Sequence, residues 1–344
     1  MRLTILLPTH NRADTLEWAL RSVAAQTESD FEVLICGDGC TDGTNRVALE
    51  WEKKDARFRW FDLPKAPGFG YANRNLVLQQ ARGEFIGFMA HDDLIFRDHF
   101  ARMLEPFADP KIQLVASRPL WVDDSGTILP VANNLECSLV QEDFLAGRHR
   151  IPATCYLHRR TAFAEVGFWN ETLLQRGDLD LWQRIVLHHG PASVRYLTTP
   201  GALHFRAIWK TDAQKDPHSF RGWQTLLETP GAFPEILRVR PGANELPQAA
   251  VGALLLAENG WESAVRRAAE LALDAQAWIL QQPRYQPELV ELREKVKLLQ
   301  EECHKLQSSS IALREKLAAQ KARAEKWKEK ASAPRVRRWP WSKK

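Results

Sequence analysis

No apolar run in these 344 residues is long enough to span a bilayer. The opening Met1-Arg2 passes straight into an apolar segment too short for a cleavable secretory signal, so the expectation is a cytoplasmic chain. Cysteine is sparse. Cys36, Cys40, Cys137, Cys155 and Cys303 show no spacing with histidine that would mark a zinc site, and their odd number argues against a disulfide framework, which leaves buried or idle thiols. A net positive balance is also lacking outside one place. Arg335, Arg337, Arg338, Lys343 and Lys344 put five charges into the last ten residues, against a net +4 for the whole chain, so the rest sums to −1. A main domain without a basic face of its own is a poor nucleic-acid binder. The length exceeds what one core usually supports and predicts one large domain with appended elements.

What the chain does contain is alternation. Leu3 to Leu7 is a short apolar run stopped by Pro8, the pattern of a buried strand that ends at a turn. Asp14 and Glu17 have capping-box spacing, and Leu16, Ala19, Leu20, Val23 and Ala24 repeat at helical intervals. Phe31 to Cys36, Arg57 to Phe61 and Glu84 to Ala90 read as further strands, Tyr71 to Arg82 as a helix, and the segment after Val47 as another. Such order implies an α/β fold: a mostly parallel sheet flanked by helices. Ile112 to Val122 reads as a long strand, which the turn Asp123-Asp124-Ser125-Gly126 folds back as a hairpin. A helix with carboxylates in its first turn begins at Gly177, and Leu246 to Gln281 reads as two helices parted at Asn259-Gly260.

From Leu289 to Trp327 the seam positions alternate at three and four residues, a coiled coil about five heptads long that predicts a homo-oligomer. The expected divisions are therefore a catalytic α/β domain over 1–225, a helical extension over 226–285, a coiled coil over 286–330 and a basic, Trp-containing tail over 331–344. The tail's cations with Trp339 and Trp341 suit anionic lipid headgroups, and an ordinary solvated terminus suits them equally, so peripheral contact with the inner membrane face stays open.

The chemistry concentrates at the ends of the expected strands. Asp92 and Asp93 close the run that starts at Glu84, and acids just beyond a buried strand's C-terminal end sit in the crevice where open α/β sheets bind ligands. A hard divalent cation carrying phosphates fits such a pair, while capping of the next helix is the plainer alternative. The loop Gly37 to Thr44 opens at the same edge, with Asp38 as a fixed acceptor and glycines that let backbone approach a ligand.

The ordered set Leu7 to Arg12 (LPTHNR), Gly37 to Thr44 (GDGCTDGT), Asn73 to Asn75 (NRN), Ala81 to Ile86 (ARGEFI) and His91 to Asp93 (HDD) resembles the family-two inverting glycosyltransferases of GT-A fold over roughly the first 210 residues. The resemblance implies a nucleotide-sugar donor, Mg²⁺ or Mn²⁺ on its diphosphate, inversion at the anomeric carbon, and a glycan or lipid-linked acceptor in cell-surface synthesis. Carried over by position, Pro8, Thr9 and His10 flank the nucleobase, with Arg12 on the same donor loop. Asp38 meets base or ribose, Arg74 lies near the donor, Asp93 binds the metal, and Asp92 serves the ribose or sugar and the metal site. Gly177-Asp178-Leu179-Asp180-Leu181-Trp182-Gln183-Arg184 is similar to the family's base-bearing helix and makes Asp178 the base, with Asp180 as rival; Gly177 stands where relatives carry Glu. His204 corresponds to a residue that completes the metal or diphosphate site in some relatives, and a structural role for it stays open. Arg206 and Lys210 are candidates for neutralising phosphate or for plain surface. Two other readings remain: a sugar nucleotidyltransferase, whose usual Gly-rich, Arg-containing first loop is replaced here by Pro8-Thr9-His10-Asn11-Arg12, and a catalytically silent nucleotide-binding scaffold oligomerised by its coiled coil.

Overall fold

The computed structural model describes residues 1–148, 151–205, 221–257, 260–280 and 298. The coiled-coil seam, the basic tail, Arg206, Lys210 and Cys303 lie outside the described residues, as does Asn259. Four strands, β1 (Leu3–Thr9), β2 (Phe31–Asp38), β3 (Phe58–Leu63) and β4 (Phe85–Phe88), pair in parallel in the spatial order β3-β2-β1-β4. Helices α1 (Ala13–Ala24), α2 (Thr44–Lys54) and α3 (Tyr71–Leu78) make the crossovers between them. β2 is buried at every position and β1 at all but Pro8, which is why both read as unbroken apolar runs rather than alternating ones.

Past β4 the sheet turns mixed. α4 (His99–Leu104), β6 (Leu114–Val122), α5 (Ser138–Leu145), β8 (Tyr156–Arg159), α6 (Ala162–Val166), α7 (Gly177–His189), β9 (Val194–Phe205) and α8 (Arg221–Glu228) follow. β8 runs antiparallel to both β4 and β6, whereas β9 runs parallel to β6. β5 (Leu94–Ile95) adds to β9, and β7 (Ile128–Pro130) folds back on β6 as the hairpin expected from the Asp123–Gly126 turn. The expected α/β class with flanking helices holds, with all-parallel pairing confined to β1 through β4. Two more helices, α9 (Pro247–Leu256) and α10 (Trp261–Leu280), correspond to the pair expected around Gly260. A compact unit spans Met1–Ala277 and a second Trp278–Lys344; of the latter, the last residues of α10 and the exposed Leu298 are described.

Three local expectations change. The capping box does not form, because Glu17 is taken by Trp51 Nε1 (2.7 Å) and Arg21 Nε (2.7 Å), while Asp42 from the neighbouring loop accepts from Ala13 N (3.3 Å) instead. α3 ends at Leu78 rather than Arg82. At Gly83 the chain passes so close to β1 that a Cβ would lie 2.3 Å from Thr4 N, and a continued helix could not make that approach. The fourth strand ends at Phe88 rather than Ala90, where the backbone turns and Asp93 N bonds Ala90 O (3.3 Å).

At the opposite end of the sheet Glu32, fully buried in β2, accepts from Thr4 Oγ1 (2.8 Å), Arg82 N (2.7 Å), Arg82 Nε (2.8 Å) and Arg59 (3.4 Å). Burial pushes its carboxyl up, but the Arg82 and Thr4 donors outweigh that and hold it below the usual value of 4.5. A depressed native value stabilises the fold above the unfolded pKa, and that contribution is lost as pH falls through the native one. Glu32→Ala should therefore cost about 3 kcal/mol at neutral pH by leaving Arg82 and Thr4 uncompensated. The loss should shrink below about pH 4, which urea titrations at pH 7 and pH 3.5 would check.

Candidate active site

The strand order changes direction between β1 and β4: β2 and β3 lie to one side of β1, and β4 to the other. That switch point opens a crevice at the strands' C-terminal ends. Pro8 and Thr9 end β1 there, Asp38 ends β2, and His91 to Asp93 follow β4. Cross-bonds join these ends. His10 Nδ1 donates to the Asp38 carbonyl (2.7 Å), and His91 Nδ1 donates to the Pro8 carbonyl (3.2 Å). Asn11, in a left-handed conformation (φ 50°), accepts through its side chain from Thr41 N (2.7 Å), and Arg12 N donates to Thr44 Oγ1 (2.8 Å), so the first and second βα loops form one rim.

Asp38 is nearly saturated. Its carboxylate accepts from Ala66 N (2.7 Å), Asn73 Nδ2 (2.7 Å) and Lys65 Nζ (2.5 Å), leaving about one of its four acceptor positions. It therefore orders the loop before α3 as well as the rim. Gly70 is required beside it, being left-handed (φ 72°) with a would-be Cβ only 2.7 Å from Asp38 Oδ2.

Asp93 has no exposed surface. Oδ2 accepts from Thr154 Oγ1 (2.5 Å), and Oδ1 accepts from His204 Nδ1 (2.8 Å) and Phe205 N (3.3 Å). β9 delivers His204, with Trp121 of β6 opposite it in register. Thr154 in turn accepts from His99 Nε2 through its carbonyl (3.1 Å), and burial pushes His99 down to about 4, so it stays neutral. The expected metal residues Asp93 and His204 thus meet, 111 positions apart in sequence. With Nδ1–H bonded to the carboxylate, the imidazole lone pair falls on Nε2, the arrangement by which an outer carboxylate orients a metal-binding histidine. Asp92 is 3 % exposed and His91 lies 4.0 Å from it.

Asp178, in the first turn of α7, has its Oδ1 held by Arg74 (2.7 Å) and by Trp169 Nε1 (3.0 Å); the side chain is 30 % exposed. Its rival Asp180 is paired through Oδ2 with Arg184 (2.9 Å), which also binds the carbonyls of Val166, Gly167 and Phe168 and so ties α6 to α7. The departure at Gly177 has a steric cause. A Cβ there would lie 2.5 Å from the Tyr71 ring, whose hydroxyl accepts from Gly177 N (2.8 Å), so Tyr71 fills the space a glutamate would need. Burial and, next, the nearby Asp178 push the Tyr71 hydroxyl up and keep it protonated.

Asp38 and Asp178 are joined through consecutive residues of α3, Asn73 and Arg74, while Asp93 stands on the other flank of the switch point. Trp169, Tyr71, Thr154 and Lys65 were not legible in the sequence: each is a single residue in an unremarkable stretch, and only the fold gives it a partner. Among the described residues, the one group of three His or acidic donors drawn within 4.8 Å of one another is Glu165, His188 and His189. It lies about 15 Å along α7 from Asp178, and Glu165 is already paired with His189 (2.8 Å).

A sheet-edge crevice lined by a glycine-bearing loop, paired acids and a separately held carboxylate is the kind of place where open α/β sheets bind ligands. Residues 4–167 match the Glycosyl transferase family 2 model. It is 27 % identical over 197 residues to an uncharacterised glycosyltransferase of Rickettsia conorii, which covers 53 % of this chain and 31 % of that protein. It is 30 % identical over 104 residues to the GalNAc(5)-diNAcBac-PP-undecaprenol beta-1,3-glucosyltransferase of Campylobacter jejuni, covering 30 % and 34 %. The chain spans about a third of the length of these relatives. Among solved structures it is similar to Pyrobaculum calidifontis mannosyltransferase PcManGT in complex with GDP-Man and Mn²⁺ (TM-score 0.45, 18 % identity, 86 % of this chain and 80 % of that one). It is also similar to S. aureus TarS 1-349 with UDP-GlcNAc (TM-score 0.46, 17 % identity, 80 % and 79 %).

The Tyr71–Gly177 contact makes a checkable prediction. Gly177→Ala should lower stability by about 1–3 kcal/mol through overpacking, and the same change should cost less in a Tyr71→Ala background, where the ring it meets is gone; thermal melts of both single variants and the double variant measure the difference.

Proposed function

We propose that this protein is a metal-dependent, inverting glycosyltransferase that moves a sugar from a nucleotide-diphosphate donor to an acceptor hydroxyl in cell-surface glycan or glycolipid synthesis. The observation that carries this reading is the separation of duties at the sheet edge: Asp178 keeps one carboxylate oxygen anchored and its side chain part-exposed, while Asp92, Asp93 and His204 gather on the other side of the switch point. One acid positioned as a base and a distinct acidic site for a diphosphate is what single-displacement transfer needs.

In the reaction so proposed, Oδ2 of Asp178 takes the acceptor hydroxyl's proton. The hydroxyl oxygen bonds to the anomeric carbon, and the bond to phosphate breaks with its electron pair leaving on the nucleotide diphosphate. Pro8, Thr9 and His10 flank the nucleobase, Arg12 lies on that same rim, and the remaining acceptor position of Asp38 meets base or ribose. Arg74 lies between the donor side and the base.

The donor chemistry fits Mg²⁺ or Mn²⁺ arriving with its phosphates, since such ions use one or two carboxylates plus substrate oxygens rather than a complete protein cage. His204 through Nε2 and the Asp92 carboxylate would hold it, and Asp93, closed by Thr154 and Phe205 N, would orient His204 rather than ligate directly. When bound, such an ion supplies Lewis-acid stabilisation of the charge that gathers on the leaving diphosphate.

The family 2 match counts against a nucleotidyltransferase, and an anchored, part-exposed Asp178 counts against a silent scaffold. No described helix is long and apolar enough to cross a membrane. Oligomerisation through residues 286–330 and contact of residues 331–344 with an anionic membrane remain proposals from sequence, as do the boundaries 1–225 and 226–285.

A panel of UDP-, GDP- and dTDP-sugars, assayed for Mn²⁺-dependent hydrolysis, tests the activity. Asp178→Asn should cut turnover by about 10²-fold or more and leave UDP or GDP binding by calorimetry within twofold. His204→Gln should instead raise the Mn²⁺ concentration needed for half-maximal rate. Full turnover in Asp178→Asn would remove the base assignment, and no hydrolysis of any donor by the parent chain would remove the enzymatic reading.

A further inference from the structure

Of the motif Asn73-Arg74-Asn75, Arg74 was expected near the donor; Asn73 bonds Asp38, while Arg74 and Asn75 lead toward Asp178. Arg74 donates to Asp178 Oδ1 (2.7 Å) across 104 residues of sequence. Asn75 does not reach Asp178, but it grips the residue that does: its Oδ1 accepts from Trp169 N (3.0 Å), and its Nδ2 donates to Trp169 O (2.9 Å) and to Glu171 (2.8 Å). Both backbone polar groups of Trp169 are thereby fixed by one side chain. The indole is buried and meets the Phe88 ring edge-on at 5.1 Å, and its Nε1 donates to the same Oδ1 of Asp178 (3.0 Å). Phe88 is the last residue of the strand that leads to the acid pair. Arg74 is held in its own place by the Tyr71 ring, 5.0 Å away, and Tyr71 is locked against Gly177.

We infer that Asn75 and Trp169 are positioning residues for the base: together with Arg74 they saturate Oδ1 of Asp178, so that Oδ2 alone faces the acceptor. This rests on the reading of Asp178 as the base. The physical reason is rotational. A carboxylate on a helix's first turn turns about its last torsion between two near-equivalent states, and two donors converging on one oxygen from different elements remove that freedom. Fixing the oxygen also fixes the direction of proton transfer, which a base must have within hydrogen-bond reach of the hydroxyl.

Trp169→Phe keeps an aromatic ring at this buried position and removes the N–H together with part of the indole's volume, which the Asp178→Asn background controls for. With the sugar nucleotide hydrolysed in the donor panel, Trp169→Phe should lower kcat by about 10-fold to 100-fold, while donor KM and UDP or GDP affinity stay within twofold. In an Asp178→Asn background the same change should cost nothing further, because the clamp acts only through that carboxylate. A ring that merely filled space would give equal losses in both backgrounds. An arm independent of any donor is the ¹⁵N-indole resonance of Trp169, identified by its loss in Trp169→Phe: it should shift upfield on Asp178→Asn as the charged acceptor is removed. Parent-like kcat in Trp169→Phe, or an indole resonance indifferent to Asp178→Asn, overturns the clamp. Full turnover in Asp178→Asn with a shifted indole resonance overturns the base reading while leaving the contact in place.

Discussion

The ion pair between Arg74 and Asp178 is the contact on which the site's geometry depends. It joins a helix of the parallel half-sheet to a helix that lies between β8 and β9 of the mixed half. Together with the Tyr71–Gly177 and Asn75–Trp169 contacts it fixes where Asp178 stands relative to the rim formed by the first two βα loops. The pair is part-buried, with the guanidinium side chain 12 % exposed, so screening by salt is weaker than for an exterior pair. Its neighbours in α3 extend the same logic: Asn73 fixes the end of β2 through Asp38, and Asn75 fixes the segment after α6 through Trp169. Three consecutive side chains on one short helix thus reach three separate parts of the fold.

A second constraint comes from saturation. Glu32, Asp38 and Asp93 are all buried acids, and each spends most of its acceptor capacity on protein donors. Burying a carboxylate is costly unless it is paired and hydrogen-bonded, and these networks meet that requirement. The consequence for chemistry is selective. Acids that are closed by protein order loops and neighbouring side chains, and the part-exposed Asp178 takes its two protein donors on one oxygen.

Much of the first hundred residues was legible. Buried parallel strands have to be continuous apolar runs, and ligands of such sheets have to sit at their C-terminal ends, so Pro8, Asp38 and Asp92 could be placed from pattern alone. The hairpin after Val122 was legible because Asp-Asp-Ser-Gly admits a tight turn. Helix ends were less so. Glu17 had the spacing of a capping box, but Trp51 and Arg21 compete for it, and Asp42 from another loop takes over the helix N-terminus. Spacing within one segment carries no information about donors that arrive from elsewhere.

By itself, then, the sequence determined the elements, the sheet edge at which the candidate acids gather and which acids those are, because these follow from local periodicity and from chain order. Tertiary structure decided what each acid bonds. Asp178 and Asp180 are two residues apart on one helix turn and chemically identical, yet Arg74 and Trp169 converge on the first from other segments while the second pairs with Arg184 of its own helix. Gly177 looked like a loss until the Tyr71 ring, 106 positions away, occupied the vacated space. Side-chain roles depend on which atoms come within about 3 Å, and that is settled by packing between segments whose separation along the chain bears no relation to their distance in space.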